Sequence, residues 1–589
     1  MAAVLGVERS IGGRCWQPRL ADERLGVALA QRHDLPELLG RVLAGRGVSA
    51  DDAETFLSPS LRHQLPDPSH LKDMDAAVAR ICDAIQRGET IALFGDYDVD
   101  GATSAALLYR ALTSCGGKVR FYIPDRLREG YGPNGPALLA LGREGATVIV
   151  TLDCGTLAHA PLAAAADSGL DVIVVDHHLA EPALPRAHAV VNPNRVDETS
   201  PHRHLAAVGV AFLLAVAVNR RLRALGWFTH RQEPDLLDLL DLVALGTVAD
   251  VVPLIGLNRA FVAQGLKVMA GRRNLGLAAL ADIAGVRQMP DAFTLGFALG
   301  PRVNAGGRVG ESDLGVRILT TDDATEAAAL ARRLDGFNRE RQSIEAAMVH
   351  QAMAAVEAGP EPGPIILVTQ EGWHPGVVGI VASRLKDRYQ RPVCVVALEN
   401  GVGRGSGRSI AGIDLGAAVI AARQAGLLRN GGGHAMAAGF TVEEGQIQAF
   451  RDFLIDRVGT GFLPRSRLPT LSLDGTLALA AATPDFVEKL ARLAPFGAGN
   501  PEPRFAVIAA RVAKADIVGE SHLRCFLADG QGGRLGGICF RSVGTELGKA
   551  LRETAGAPLH LAGHLRAEIW QGETRVQLHI EDAAPALPM

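Results

Sequence analysis

Thr90-Ile-Ala-Leu-Phe-Gly95-Asp96-Tyr-Asp98-Val-Asp100-Gly101 joins an uncharged, apolar-rich run of six residues to three alternating carboxylates. A run that short, closed by glycine, reads as a buried strand rather than a helix. Further short β-branched runs follow at 118–124, 146–152 and 171–175, separated by Ala/Leu-rich helical stretches. From about residue 70 to 255 this alternation is that of βαβ units and a parallel sheet. Two of these runs also end in acid: 146–152 leads into Asp153 of Thr-Leu-Asp-Cys-Gly, and 171–175 into Asp176-His177-His178. Ligands of open parallel sheets bind beyond the carboxyl ends of the strands, so the three motifs are expected to converge.

In an extended chain, alternate residues share a face about 6.6 Å apart, a spacing that brackets two metal ions ~3.5–4 Å from each other. Without a cation, clustered carboxylates repel and some must take up protons. The bland alternatives are a solvated turn or a calcium loop, but an EF-hand needs Glu at its twelfth position and Leu107 stands there. Taken singly, Asp153 reads as a helix cap or turn acid and the histidines as a surface pair. A fourth candidate, Asp250, is the only charged residue between Asp241 and Arg259, and an acid in so apolar a setting needs a partner. Oxygen donors with one imidazole suit manganese or magnesium better than zinc.

By length, the 589 residues of the whole chain suggest about four domains at ~150 residues each. Residues 323–358 hold no proline and one glycine and predict a long exposed helix, ended by Gly-Pro-Glu-Pro-Gly-Pro at 359–364. New buried strands are expected at 365–369 and 393–397, followed by a glycine-rich stretch at 404–439. Five partly alternating runs at 505–514, 522–528, 534–541, 558–569 and 573–580, with a polar helix at 542–554, fit a small OB-like barrel. The balance of 60 Lys and Arg against 64 Asp and Glu predicts no overall electrostatic partner, so any nucleic acid must be held by local sites. The longest apolar run, 205–218, falls short of the roughly 20 residues that cross a bilayer, and no secretory signal is visible. Seven scattered cysteines, none at CxxC spacing, argue against a disulfide framework or a zinc site, and the expected location is the cytoplasm.

In this order, these residues resemble the DHH phosphoesterase superfamily, which takes its name from the triplet seen here as Asp176-His177-His178. The similarity extends to 126–132 (RLREGYG), the Gly209 region, 246–254 (GTVADVVPL), 299–308 (LGPRVNAGGR), 431–439 (GGGHAMAAG) and 495–503 (PFGAGNPEP), which is the combination of its long, single-strand-specific exonuclease branch. The resemblance implies an α/β fold: an N-terminal segment, 1–69, packed on a parallel-sheet DHH catalytic domain, 70–322; a long connecting helix, 323–358; an α/β DHHA1 domain, 359–463; and a C-terminal OB-like nucleic-acid-binding barrel, 464–589. It implies two divalent ions, Mn²⁺ or Mg²⁺, one held by Asp98 and Asp153 and the second by Asp100, Asp153, His177 and Asp250. Asp96 is then a further ligand or supporting acid, Asp176 orients His177, and His178 contacts the scissile phosphate. One departure stands out: smaller relatives carry His four residues before Asp98, where this chain has Phe94.

The implied activity is 5′ to 3′ hydrolysis of single-stranded DNA to 5′ mononucleotides, in repair and recombination. The implied assembly is a monomer working beside a helicase or a single-strand-binding protein. The alternatives are a phosphodiesterase for nanoRNA, cyclic dinucleotides or polyphosphate, which would not require a third domain, and a scaffold that has lost its ligands, against which every expected carboxylate is present. For the substrate, Arg302 and Arg308 flank Asn304-Ala-Gly-Gly, where backbone can approach phosphate; the competing role for each arginine is a structural salt bridge. Ser406, Arg408, Ser409 and Gly431-Gly432-Gly433-His434 are further candidates in the DHHA1-like part. From 372 to 450, eight Lys and Arg meet five Asp and Glu, which favours this region as the electrostatic site. Phe526, Phe540 and Trp570 are candidates for base stacking, with core packing the expected role.

Overall fold

The structure, a computed structural model, describes residues 2–586 apart from 21, 127, 360–362, 460–467, 531, 555 and 571–572. It comprises two units: Pro66–Asp250 with Gly265–Pro464, and Met1–Leu65 with Val251–Gln264 and Arg465–Met589.

The larger unit contains a five-stranded parallel sheet in the order Lys118–Tyr122, Thr90–Gly95, Ala146–Leu152, Asp171–Val175, Ala189–Val191. Ile91, Ala92, Leu93 and Phe94 are all fully buried, as expected of a strand covered by helices on both faces. The chain goes from Thr90–Gly95 to one neighbour and then crosses to Ala146–Leu152 on the other side, so the strand order reverses between these two. That reversal opens a crevice at their carboxyl ends. Register pairs Gly95 with Leu152, Leu152 with Val175 and Val175 with Val191. The next residues, Asp96, Asp153, Asp176 and Asn192, therefore leave the sheet side by side, about 4.8 Å from one strand to the next.

Beyond Asp98 the extended geometry expected for the carboxylate run stops. Asp98 Oδ1 accepts the backbone N–H groups of Asp100 and Gly101, at 3.0 and 3.1 Å, and so caps the helix Val99–Ser114, placing Asp100 in its first turn. Gly101 is required there, since a Cβ would lie 2.4 Å from the Asp96 carbonyl oxygen. The expected long helix is Ala324–Ala358, capped by Asp323; its proline-rich end at 360–362 lies outside the described residues. A second sheet follows in the order Asn430–His434, Ala437–Glu443, Val402–Arg408, Val393–Glu399, Ile366–Glu371, with only the last pair parallel.

In the smaller unit, Phe505–Val518, His522–Ala528, Arg534–Cys539, Glu573–Pro585 and Pro558–Trp570 close into a five-stranded barrel through pairing of the first with the last. The helix Glu546–Glu553 lies between the third and fourth strands in sequence, as expected. Residues 1–65 belong to this unit, not to the DHH domain as expected. Cys15–Pro18 pairs in parallel with Thr470–Leu473, and the fully buried Asp582 carboxylate accepts the Ser10 hydroxyl, the Trp16 indole N–H and the Gly12 amide. An unpaired acid in that position would be costly, which ties the N-terminal segment to the barrel. Residues 251–264 join the same unit: Arg259 lies 3.8 Å from the Phe56 ring centroid and donates to the carbonyls of Phe56, Ala494 and Pro495. Phe526 and Phe540, expected in the core, are 46% and 52% exposed, because the first is an outward-facing position of the strand His522–Ala528 and the second lies in the turn just beyond Arg534–Cys539. The side chain of Trp570 lies outside the described residues. Among the described residues, no helix is long and apolar enough to cross a membrane.

Candidate metal centre

Four separate stretches of the larger unit meet at the crevice. His177 Nε2 lies 3.2 Å from Asp153 Oδ1, 3.6 Å from Asp250 Oδ2 and 3.9 Å from Asp100 Oδ2. Potential ligand atoms of Asp100, His177 and Asp250 lie within 4.8 Å of one another, as do those of Asp96, Asp98 and Asp153. Asp96 Oδ1, Asp153 Oδ1 and His177 Nε2 are buried without a hydrogen-bond partner. Orphaned lone pairs of that kind, facing one another, fit divalent cations. Asp96 thus joins the Asp98 and Asp153 cluster, whereas Phe94 is fully buried in the hydrophobic core.

Each ligand is held from behind. Asp153 has φ 62°, a left-handed conformation that aims its carboxylate across the strand ends, and Gly155 follows with φ 115° where a Cβ would meet Thr151 Oγ1 at 2.6 Å. Asp100 accepts the N–H groups of Ala207 and Val208, at 2.7 and 2.9 Å, at the start of the helix Ala207–Ala224. Asp250 caps the carboxyl end of Leu240–Ala249. On that helix, a Cβ at Gly246 would lie 2.3 Å from Thr103 Oγ1 and 3.1 Å from Asp100 Oδ1. Gly246→Ala is therefore expected to cost about 1–3 kcal/mol of stability through overpacking and to lower Mn²⁺ affinity, read by thermal unfolding and metal titration; wild-type behaviour in both would refute the tight contact.

Asp176 does not orient the His177 ring, as was expected of it. Its Oδ1 pairs with His178 Nδ1 at 2.7 Å and accepts the backbone N–H groups of His177 and His178, while Oδ2 accepts that of Thr156. The acid at a strand end is nearest the backbone of the next two residues, and the ring that folds back onto it is that of His178. Burial works against charge on both partners, but their pairing wins: His178 is pushed up to about 9 and Asp176 is held below the usual carboxylate range. His178 is therefore an imidazolium at neutral pH, and its Nε2 lies 3.4 Å from the Tyr131 hydroxyl. His177 is moved the other way, down to about 4, by burial and then by the charge of His178, which leaves it a neutral donor. Burial, with the neighbouring Asp98 charge, pushes Asp96 and Asp153 well above the carboxylate range and Asp100 to about 7. Burial and then Asp100 push Asp250 to about 9.

Next to the carboxylates lies a cationic group. The Arg126 guanidinium sits 4.6 Å from the Tyr97 ring centroid. Burial, and then the charge of Arg126, lower Arg308 to about 10 and lower Arg408 as well. Arg308 also donates to the Gly376 carbonyl, and Arg408 to Ser406 Oγ. Arg302 points elsewhere: it forms an ion pair with Asp335 of the long helix at 3.0 Å and donates to the Ala298 carbonyl, which is the structural role. The glycines between the two arginines lie inside the helix Gly300–Val309, and a Cβ at Gly307 would meet Tyr97 O at 2.8 Å. Gly307 lets the helix pack on Tyr97, and Gly306 lets it approach the Glu311 carbonyl. Asn304 is half-buried on the same helix. Ser409 is fully buried and donates to the Ile413 carbonyl, a turn contact. Gly432, Gly433 and the exposed His434 lie on the sheet's edge strand, where His434 pairs with Ala437 and Ala437 with Arg408.

Arg126 and Tyr131 carry no assigned role in the sequence reading, although both stand in the 126–132 motif that follows the strand Lys118–Tyr122. Asn192 and Asn194 are also new; their signal is an Asn-Pro-Asn directly after the strand Ala189–Val191.

Family models match three segments of the chain: the DHH family, N-terminal domain, at 90–247; the DHHA1 domain at 363–460; and the RecJ OB domain at 473–582. The single-stranded-DNA-specific exonuclease RecJ of Dickeya dadantii is 40% identical over 569 residues, covering 94% of this chain and 96% of that protein. The Escherichia coli protein of the same name is 38% identical, with the same coverage. The crystal structure of RecJ from Thermus thermophilus in complex with Mn²⁺ superposes with a TM-score of 0.80 at 31% identity, covering 96% of this chain and 78% of that one. Its Mg²⁺ complex superposes with a TM-score of 0.75 at 30% identity, covering 96% and 77%.

Proposed function

The chain belongs to the RecJ family of single-stranded-DNA-specific exonucleases, and from that premise we propose that it removes 5′ mononucleotides from single-stranded DNA in the 5′ to 3′ direction. It is a metal-dependent phosphodiesterase, and the observation that carries this reading is the meeting of Asp96, Asp98, Asp100, Asp153, His177 and Asp250, of which Asp96, Asp153 and His177 carry buried, unpartnered ligand atoms. In our reading, Asp96, Asp98 and Asp153 hold one ion, and Asp100, His177 and Asp250 the other, with Asp153 between them. Two divalent ions in such a site supply Lewis acidity that activates water and offsets charge on the phosphate.

The chain's own groups do the rest. His178, protonated by its pairing with Asp176, directs positive charge toward the phosphate through Nε2. Arg126, Arg308 and Arg408, with Ser406, bind phosphate oxygens, for which a guanidinium fork is suited. Arg308→Met and Arg408→Met are expected to raise KM for DNA about tenfold or more with a smaller change in kcat, measured by steady-state digestion; unchanged KM in both would remove these arginines from the substrate site.

We further assign 70–322, apart from the stretch 251–264 that joins the smaller unit, as the catalytic DHH domain, 323–358 as the connecting helix, 359–463 as the DHHA1 domain and 464–589 as the OB domain. The exposed Phe526 and Phe540 support a role in base stacking for the last. A monomer in the cytoplasm, working beside a helicase or a single-strand-binding protein, is part of the same proposal. The deciding experiment is digestion of 5′-labelled and 3′-labelled single strands with Mn²⁺, Mg²⁺ or chelator. Early release of the 5′ label, abolished by chelator, is expected; early release of the 3′ label would overturn the polarity, and chelator-resistant activity the metal site.

A further inference from the structure

Behind the metal ligands lies an amide that the catalytic reading leaves unused. Asn194 is half-buried, and its Nδ2 donates to two carbonyl oxygens from different segments, that of His177 at 2.6 Å and that of Arg203 at 3.1 Å. Its own backbone N–H donates to Asn192 Oδ1 at 2.7 Å, and Asn192 Nδ2 in turn donates to the His178 carbonyl and Thr156 Oγ1. Both hydrogens of the Asn194 amide are thus spent on stapling the strand end that carries His177 to the loop at Arg203.

That loop serves two ligands at once. Two residues beyond Arg203, the Leu205 carbonyl faces the His177 ring and favours a proton on it. Since Nε2 faces Asp153 and Asp250, that carbonyl selects the tautomer that leaves Nε2 as a lone-pair donor. Two residues further on, Ala207 and Val208 present the N–H groups that hold Asp100.

We infer that Asn194 is a positioning residue for the second ion site, fixing the His177 tautomer and the Asp100 carboxylate through the 203–208 segment. The inference rests on the reading of Asp100, His177 and Asp250 as metal ligands. Asn194→Asp is the sharpest variant, because it keeps the shape and turns the two donors into a carboxylate facing two carbonyls. Asn194→Ala removes the donors without adding charge.

The test uses the full chain without DNA, titrated with Mn²⁺ and followed by electron paramagnetic resonance, with Asp250→Asn as control. Both Asn194 variants are expected to weaken one of two Mn²⁺ sites about 10- to 100-fold, the range typical of outer-shell partners. The ¹⁵N spectrum of His177 is expected to show mixed tautomers, a signature that general loosening of the fold would not give. Wild-type affinity in either folded variant overturns the inference, and so does failure of both to fold, since a positioning residue leaves the fold standing. Wild-type affinity in Asp250→Asn would instead sink the metal-site reading itself.

Discussion

Asp153→Asn is expected to reduce hydrolysis by at least about 10³-fold while leaving the fold and DNA binding in place. Asp153 links the two clusters: it stands with Asp96 and Asp98 in one and lies 3.2 Å from His177 Nε2 of the other. An amide keeps the shape of the side chain but removes its charge, so both ions would lose an anionic ligand together. Asparagine is also the substitution that the backbone accepts, because φ is 62° and Asn enters the left-handed region more readily than Ala. The measurement is single-turnover digestion of a 5′-labelled strand with enzyme in excess, alongside a binding titration. Activity within tenfold of wild type would mean that Asp153 bridges nothing.

The second large effect concerns protons. In the metal-free site, Asp250 titrates at about 9 and Asp100 at about 7, both raised by burial and neighbouring charge, whereas unfolded aspartates titrate at about 3.9. Their contribution to stability is therefore fully present below about pH 3.9 and is lost as pH rises through 7 and 9, because the folded chain then binds more protons than the unfolded one. His178, raised to about 9 from an unfolded value of about 6.5, adds to the loss in the upper part of that window. His177, lowered to about 4, acts oppositely but only below about pH 6.5. Metal-free protein is thus expected to unfold more easily at pH 8.5 than at pH 6.5.

A divalent ion reverses this by displacing the protons, so its affinity rises with pH and its binding releases protons. At a free concentration of about 100 Kd, each ion adds about 2.7 kcal/mol. Thermal unfolding in chelator and in Mg²⁺ at the two pH values, with calorimetry in buffers of different ionisation heat, measures both effects. An equal gap between chelator and Mg²⁺ at the two pH values would refute the protonated apo site.

Much of this site is legible locally. The strands Thr90–Gly95, Ala146–Leu152 and Asp171–Val175 are found where their β-branched runs stand, and each delivers its acid at the next residue. Alternation and strand length are short-range properties, and a parallel sheet turns them into convergence with no further information. The RecJ-like motifs extend that reading to the activity and the ions.

What the order of residues left open are choices between partners far apart in the chain. Arg302 and Arg308 look equivalent in sequence, yet Asp335 from the long helix takes the first, while the second is buried beside Arg126 and donates to the Gly376 carbonyl. Asp176 precedes two histidines, and only the fold of the chain after the strand decides that His178, not His177, closes on it. The N-terminal 65 residues carry no mark of their partner until Cys15–Pro18 is seen beside Thr470–Leu473. The amino-acid sequence by itself determined the strands, the carboxylates and the chemistry they imply, because these follow from periodicity and side-chain type. Tertiary structure alone decided which arginine faces the site, which histidine is charged and which amide holds the other, because those depend on contacts between residues that no local pattern connects.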